Sequence, residues 1–138
     1  MKMQISTDYA LRALQYLHGN PDQICTATEI AEATEVSYSF FIKVANLLRE
    51  DGLVSVKQGR HGGYVLGKAA SDITLYEVLL CIEGKPTISP CLQGSPCIWA
   101  RGVDCKLRNV LGDIQEDIVS KLSSYSVADL ANETIDRP

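Results

Sequence analysis

The chain has 138 residues, 46% of them hydrophobic and 22% charged, and its 13 lysines and arginines against 17 aspartates and glutamates leave a net charge of −4. That length holds one domain with a real core, or a compact domain plus a dimerisation element, and leaves no room for two full domains. No apolar run approaches the roughly 20 residues that cross a bilayer, and the start Met1-Lys2-Met3-Gln4-Ile5-Ser6 lacks the apolar stretch of a secretory signal, so a cytoplasmic protein with no membrane partner is expected.

Thr7 to His18 predicts a first helix, with Tyr9, Ala10, Leu11, Ala13, Leu14 and Leu17 as its apolar face, Thr7 as its N-cap and Gly19-Asn20-Pro21 as its stop. Thr26-Ala27-Thr28-Glu29 repeats a helix-start signature, in which a hydroxyl and a carboxylate three residues on satisfy orphan N–H groups reciprocally. Ile30, Ala31 and Ala33 continue a short helix. After a turn at Glu35-Val36-Ser37, the segment Tyr38 to Glu50 places Phe41, Val44, Ala45, Leu47 and Leu48 at helical spacing and stops at Asp51-Gly52. A short helix, a tight turn and a second helix make a helix-turn-helix.

Leu53 to Lys57 alternates as a strand does, Gln58 to Gly63 is turn chemistry, and Tyr64-Val65-Leu66 returns as the partner strand. Standing alone, such a hairpin reads as a solvated loop; directly after a helix-turn-helix it reads as a wing, with Arg60 at its tip suited to a minor groove or a phosphate. Ile73 to Gly84 predicts a capped helix with a glycine stop. Lys85 to Asp104 is rich in proline and poor in periodic apolar residues, the mark of a functional loop or linker. From Cys105 onward, Leu107, Leu111, Ile114, Ile118 and Leu122 recur as a single helical seam that is expected to pack against its twin. The expected fold is mainly α with a small β-hairpin wing, a winged helix-turn-helix over residues 1–84, a cysteine-bearing loop over 85–105, and a long dimerisation helix with a C-terminal segment over 106–138.

The acidic total hides a local excess of cations. Residues 37–68 carry Lys43, Arg49, Lys57, Arg60 and Lys68 against Glu50 and Asp51, a net of +3 that leaves −7 for the rest. A basic face on an acidic body can bind phosphate, and so few cations per chain favour two copies acting together. The expected contacts to double-stranded DNA are Ser37, Tyr38, Ser39 and Lys43 from the second helix of the pair, and Arg60, His61, Gly62 and Gly63 from the wing. Phe40 and Phe41 are expected to be packing residues.

Cys91, Cys97 and Cys105 fall within fifteen residues of one another. Five cysteines in a chain with no export signal argue against a disulfide framework and for metal or redox chemistry. Zinc usually shows a Cys-x2-Cys knuckle, absent here, although a zinc site or bare thiols stay open. Cys81, among Leu79, Leu80 and Ile82, is expected to act as a small buried hydrophobe. Without a Cys-x-x-Cys pair, a paired histidine or a nucleotide-binding glycine loop, an enzyme is not expected.

Ser6-Thr7-Asp8-Tyr9-Ala10-Leu11-Arg12, Leu48-Arg49-Glu50-Asp51-Gly52-Leu53-Val54, the wing from Gly59 to Gly67 and the three-cysteine loop resemble the Rrf-type family of winged-helix regulators over essentially the whole chain. The resemblance implies a homodimeric transcription regulator, usually a repressor, with an extended dimerisation helix and, in the IscR-like and NsrR-like members, an iron–sulfur cluster. In those members the three loop cysteines are ligands, which maps onto Cys91, Cys97 and Cys105. Some carry a histidine three residues after the last cysteine, where this chain has Arg108; NsrR-like members use an aspartate of the partner subunit within a Thr-Asp-x-Ala-Leu-Arg run, matched here by Asp8. The gap from Cys97 to Cys105 is longer than is common in these relatives, and Ile42 stands where IscR-like members carry a sequence-selecting glutamate. The resemblance therefore implies Asp8 of the partner subunit as fourth ligand, a 4Fe-4S cluster in preference to 2Fe-2S, and a response to nitric oxide, redox state or iron supply. The alternative is a cluster-free regulator of the same fold, controlled by thiols or zinc or, as the resemblance to CymR-like members implies, by a protein partner.

Overall fold

The computed structural model describes residues 2–94 and 105–131, and all structural statements concern those residues. Six helices and one hairpin follow in chain order: α1 (Ile5–Gly19), α2 (Ala27–Thr34), α3 (Tyr38–Glu50), β1 (Val54–Lys57), β2 (Gly63–Leu66), α4 (Leu75–Glu83), α5 (Lys106–Ser123) and α6 (Val127–Ala131). Mainly helical architecture with a two-stranded wing is the class the sequence predicts. No helix among them is long and apolar enough to cross a membrane.

The first helix begins two residues before its predicted start. Gln4 occupies the cap position without a side-chain bond, and Thr7 lies inside the helix, fully buried. What closes this end is distant in sequence: the Glu83 carboxylate accepts the Gln4 backbone N–H at 2.9 Å and the Thr7 hydroxyl. A carboxylate at a helix N-terminus satisfies orphan donors and offsets the positive end of the helix dipole.

At α2 the local rule holds in half. Thr26 accepts the Glu29 backbone N–H at 3.1 Å, while the Glu29 carboxylate turns to the Tyr16 hydroxyl at 2.8 Å and so ties α2 to α1. Glu35 ends the helix in the left-handed region, at φ 58°, with the Val36 N–H reaching back to the Ala31 carbonyl. This tight closure aims the chain into Ser37, whose hydroxyl accepts the Phe40 N–H at 3.3 Å and starts α3.

The strands pair antiparallel in the register Val54 to Leu66, Ser55 to Val65, Val56 to Tyr64 and Lys57 to Gly63. On its other edge Tyr64 exchanges both backbone hydrogen bonds with Cys25, at 2.8 and 3.0 Å, which anchors the wing to the segment leading into α2. The core lies between α1, α2, α3, α4 and the hairpin; Leu14, Ile30, Leu48, Leu53, Ile73 and Val78 are fully buried, each contributing roughly 1.5–3 kcal/mol.

After the extended turn at Ser124–Ser126, the short α6 returns to α1. Ser126 and Asp129 cap it reciprocally, at 2.8 and 3.2 Å, and the backbone of Tyr125 and Val127 bonds to Leu75 and Ile73. Val127 is completely buried in the core. The predicted seam on α5 is divided. Leu111, Ile118 and Leu122 are partly covered, on a helix that packs against α4 and the turn at Pro90–Gln93, whereas Leu107 and Ile114 stand open together with Val110.

Candidate nucleic-acid interface and cysteine loop

The inward side of α3 is Phe41, Val44, Ala45 and Leu48. At 100° per residue the centre of the opposite side falls on Ser39, Lys43, Asn46 and Glu50, all exposed. Of the residues expected to touch DNA, Tyr38, Ser39 and Lys43 have exposed side chains, and Ser37, also exposed, caps the helix. Phe41 packs edge-on against Tyr64 and Phe40 against Tyr9, each at 5.4 Å between ring centroids, as expected of packing residues. Ile42 is partly buried against the core. Asn46 was not among the expected contacts; its spacing of three from Lys43 and seven from Ser39 puts it on the same exposed face of α3.

Arg60 and His61 sit exposed at the wing tip, and between Leu53 and Lys68 the chain has three cations and no carboxylate. Gly62 and Gly63 have a structural duty. A Cβ on Gly62 would overlap the Lys57 carbonyl oxygen, and one on Gly63 would overlap the carbonyl of Cys25. Burial pushes the Tyr64 hydroxyl above its ordinary range, Tyr38 adds to the effect and Arg49 opposes it. The contact that joins α3 to β2 is the edge-on packing of Phe41 on Tyr64.

Cys91 lies in a 3-10 turn, Pro90–Gln93, with its sulfur 3.1 Å from the Ser89 hydroxyl. Cys105 is the N-cap of α5, its sulfur accepting the Arg108 backbone N–H at 3.5 Å. The turn rests on α5, where the Ile88 N–H donates to Gln115 at 3.1 Å and Leu92 approaches Gly112. Both thiols are free and half-exposed. Cys97 lies outside the described residues. Asp8 accepts Arg12 Nε at 3.0 Å and faces a surface groove of about 800 Å³ shared with Phe40 and residues 2–6. Among the described residues no three His, Cys, Asp or Glu side chains of this chain form a metal-binding group.

Cys25 and Cys81 have a different character. Cys25 is fully buried, and burial, followed by Glu29, pushes its thiol up to about 11. Cys81 is half-buried rather than enclosed; its thiol donates to the Leu47 carbonyl at 3.2 Å and is pushed up to about 12, by burial first and then by Asp51. Neither is poised to be a thiolate ligand.

A helix-turn-helix with an exposed, cation-bearing second helix and a carboxylate-free wing alongside is the architecture of DNA-binding transcription regulators. The chain belongs to the Rrf2 family, described as "Iron-dependent Transcriptional regulator", whose profile matches residues 3–133. It is 32% identical over 134 residues to Protein aau3 of Rhizobium meliloti (strain 1021), covering 94% of this chain and 84% of that one. Among solved structures it is similar to CymR, the global cysteine regulator of B. subtilis, at 25% identity and a TM-score of 0.77 over 95% of this chain and 96% of that one. It shares the fold of T. potens IscR, at 20% identity and a TM-score of 0.77 over 100% of this chain and 93% of the other.

Proposed function

We propose that the chain is a homodimeric, cytoplasmic regulator, acting as a repressor, that binds an operator in duplex DNA and senses nitric oxide, redox state or iron through an iron–sulfur cluster. Ser37, Tyr38, Ser39 and Lys43 would meet the major groove, and Arg60, His61, Gly62 and Gly63 the adjacent backbone or minor groove. The exposed Leu107, Val110 and Ile114 of α5 are the surface a second copy would cover.

The observation that carries the sensor reading is the placement of Cys105 at the N-cap of an 18-residue helix in a chain of an iron-dependent family. There its half-exposed sulfur, which accepts the Arg108 backbone N–H, is a soft donor of the kind that ligates iron. With Cys91 half-exposed on the turn packed against the same helix, the donors fit soft-metal chemistry. Cys91, Cys97, Cys105 and Asp8 of the partner subunit would hold the group, 4Fe-4S in preference to 2Fe-2S. When bound it would supply an iron whose single oxygen ligand makes it the labile one. An aspartate from the second chain would couple occupancy to the spacing of the two α3 helices, and so to operator affinity.

The similarity to CymR favours one second reading, a cluster-free regulator of the same fold governed by thiols, zinc or a protein partner. The test is the visible spectrum with iron, sulfide and zinc content of protein purified without oxygen, for the wild type, Cys97→Ala and Asp8→Ala. Stoichiometric iron and sulfide, lost in Cys97→Ala and less stably held in Asp8→Ala, is the expected result. Colourless protein after an attempted reconstitution overturns the cluster and leaves the second reading.

A further inference from the structure

We infer that Asn46 is a specificity-determining residue that reads one adenine in the major groove of the operator. The inference rests on α3 being the recognition helix. Of the four side chains at the centre of its outer face, Lys43 is a point charge, Glu50 only accepts, and Ser39 donates or accepts to many partners. Asn46 alone holds a donor and an acceptor side by side in one plane, the arrangement that matches adenine, with Oδ1 accepting from N6–H and Nδ2 donating to N7.

Among the described residues nothing explains this one. Its side chain is exposed and its carboxamide has no hydrogen-bond partner among the described residues. Asparagine in a helix interior competes with the helical backbone for hydrogen bonds, so the position is locally unfavourable without a structural return. Departures of that kind concentrate at functional sites. Glu50, one turn further along the same face, repels phosphate and so directs an Asn46 contact toward a base edge instead of the DNA backbone.

The experiment starts from a pool of random duplexes, selected with the wild-type protein both as purified without oxygen and after metal removal. Each A·T pair of the enriched duplex is then replaced in turn by G·C, and binding is followed by fluorescence anisotropy at two salt concentrations. For the wild type, one A·T replacement per half-site is expected to weaken binding roughly 5- to 150-fold. Asn46→Ala is expected to lose a similar factor on the parent duplex, to become indifferent to that pair, to keep the salt slope and to melt no lower. Asn46→Ala that still discriminates at every position, or that loses affinity equally on all duplexes, overturns the inference. Lys43→Ala serves as the companion: if it weakens every duplex while Asn46→Ala changes nothing, only the role of Asn46 falls. If neither variant matters, or no sequence is enriched, the recognition role of α3 falls with it.

Discussion

Glu83, at the last turn of α4, closes the first turn of α1 by accepting the hydroxyl of Thr7, 76 residues earlier in the chain. Thr7 is fully buried, so its donor has no water to fall back on. Hydrogen bonds to charged acceptors are worth about 1.5–3 kcal/mol. Thr7→Val is expected to lower stability by that amount in urea unfolding and Thr7→Ser to recover most of it; equal midpoints for Thr7→Val and wild type would mean that the Thr7–Glu83 bond does not hold α1.

Ser37 serves two ends, and charge separates them. As the cap of α3 it is worth about 1 kcal/mol, which Ser37→Ala should lose and Ser37→Asp should keep. On the proposed reading an aspartate here would face the DNA phosphates, so Ser37→Asp is expected to be as stable as wild type and to bind duplex DNA far more weakly. Unchanged anisotropy titrations for this variant would place the first turn of α3 away from the DNA.

Gly63 lies where β2 crosses Cys25. Adding one methyl forces the two backbones apart and breaks the paired bonds between Cys25 and Tyr64. Gly63→Ala should cost about 1–3 kcal/mol by overpacking, and by shifting the wing it should weaken DNA binding beyond what the loss of folded protein explains. A thermal melt and a DNA titration on the same sample check both parts.

The raised thiol of Cys81 predicts an alkaline limb. In the unfolded chain it ionises at about 9; in the folded chain it holds its proton to about 12, because of burial and the nearby Asp51, Glu50 and Glu77. Between those values the unfolded state binds fewer protons, so stability is fully present below pH 9 and falls as pH rises toward 12. Cys81→Ala is expected to flatten this decline, measured as urea midpoints between pH 8 and 10.5.

Arg60 at the wing tip is expected to contact phosphate. In a dimer bound to DNA, Arg60→Ala removes two such contacts and should reduce the slope of log affinity against log salt by about 2, with selectivity among sequences unchanged. An unchanged slope would mean that the wing tip stays off the backbone.

Local chemistry made much of the fold legible. Thr26 with Glu29, and Ser37 after the turn, start helices through contacts spanning three residues, so the chain itself announces them. The start of α1 was misread because its true cap comes from Glu83, which no local pattern exposes. The seam on α5 was read as one surface because periodicity reports apolarity and not which positions are covered; Leu111, Ile118 and Leu122 are partly buried in a stripe that also holds the exposed Leu107 and Ile114. Helix α6 went unread although Ser126 and Asp129 carry a capping signature, since five residues are too few for a periodic signal. The cysteine site was legible as composition and resemblance only, because its expected ligands are divided between two chains and Cys97 lies outside the described residues.

The return of α6 to α1 makes an early helix depend on one synthesised more than a hundred residues later. Because Val127 fills the core and Ser126 pairs with Thr74, the DNA-reading half has no finished interior while residues 124–131 are still being made. A fragment stopping after Glu83 would leave the back of α1 bare. On the ribosome, DNA-binding competence should therefore arrive all at once, when α6 emerges and docks.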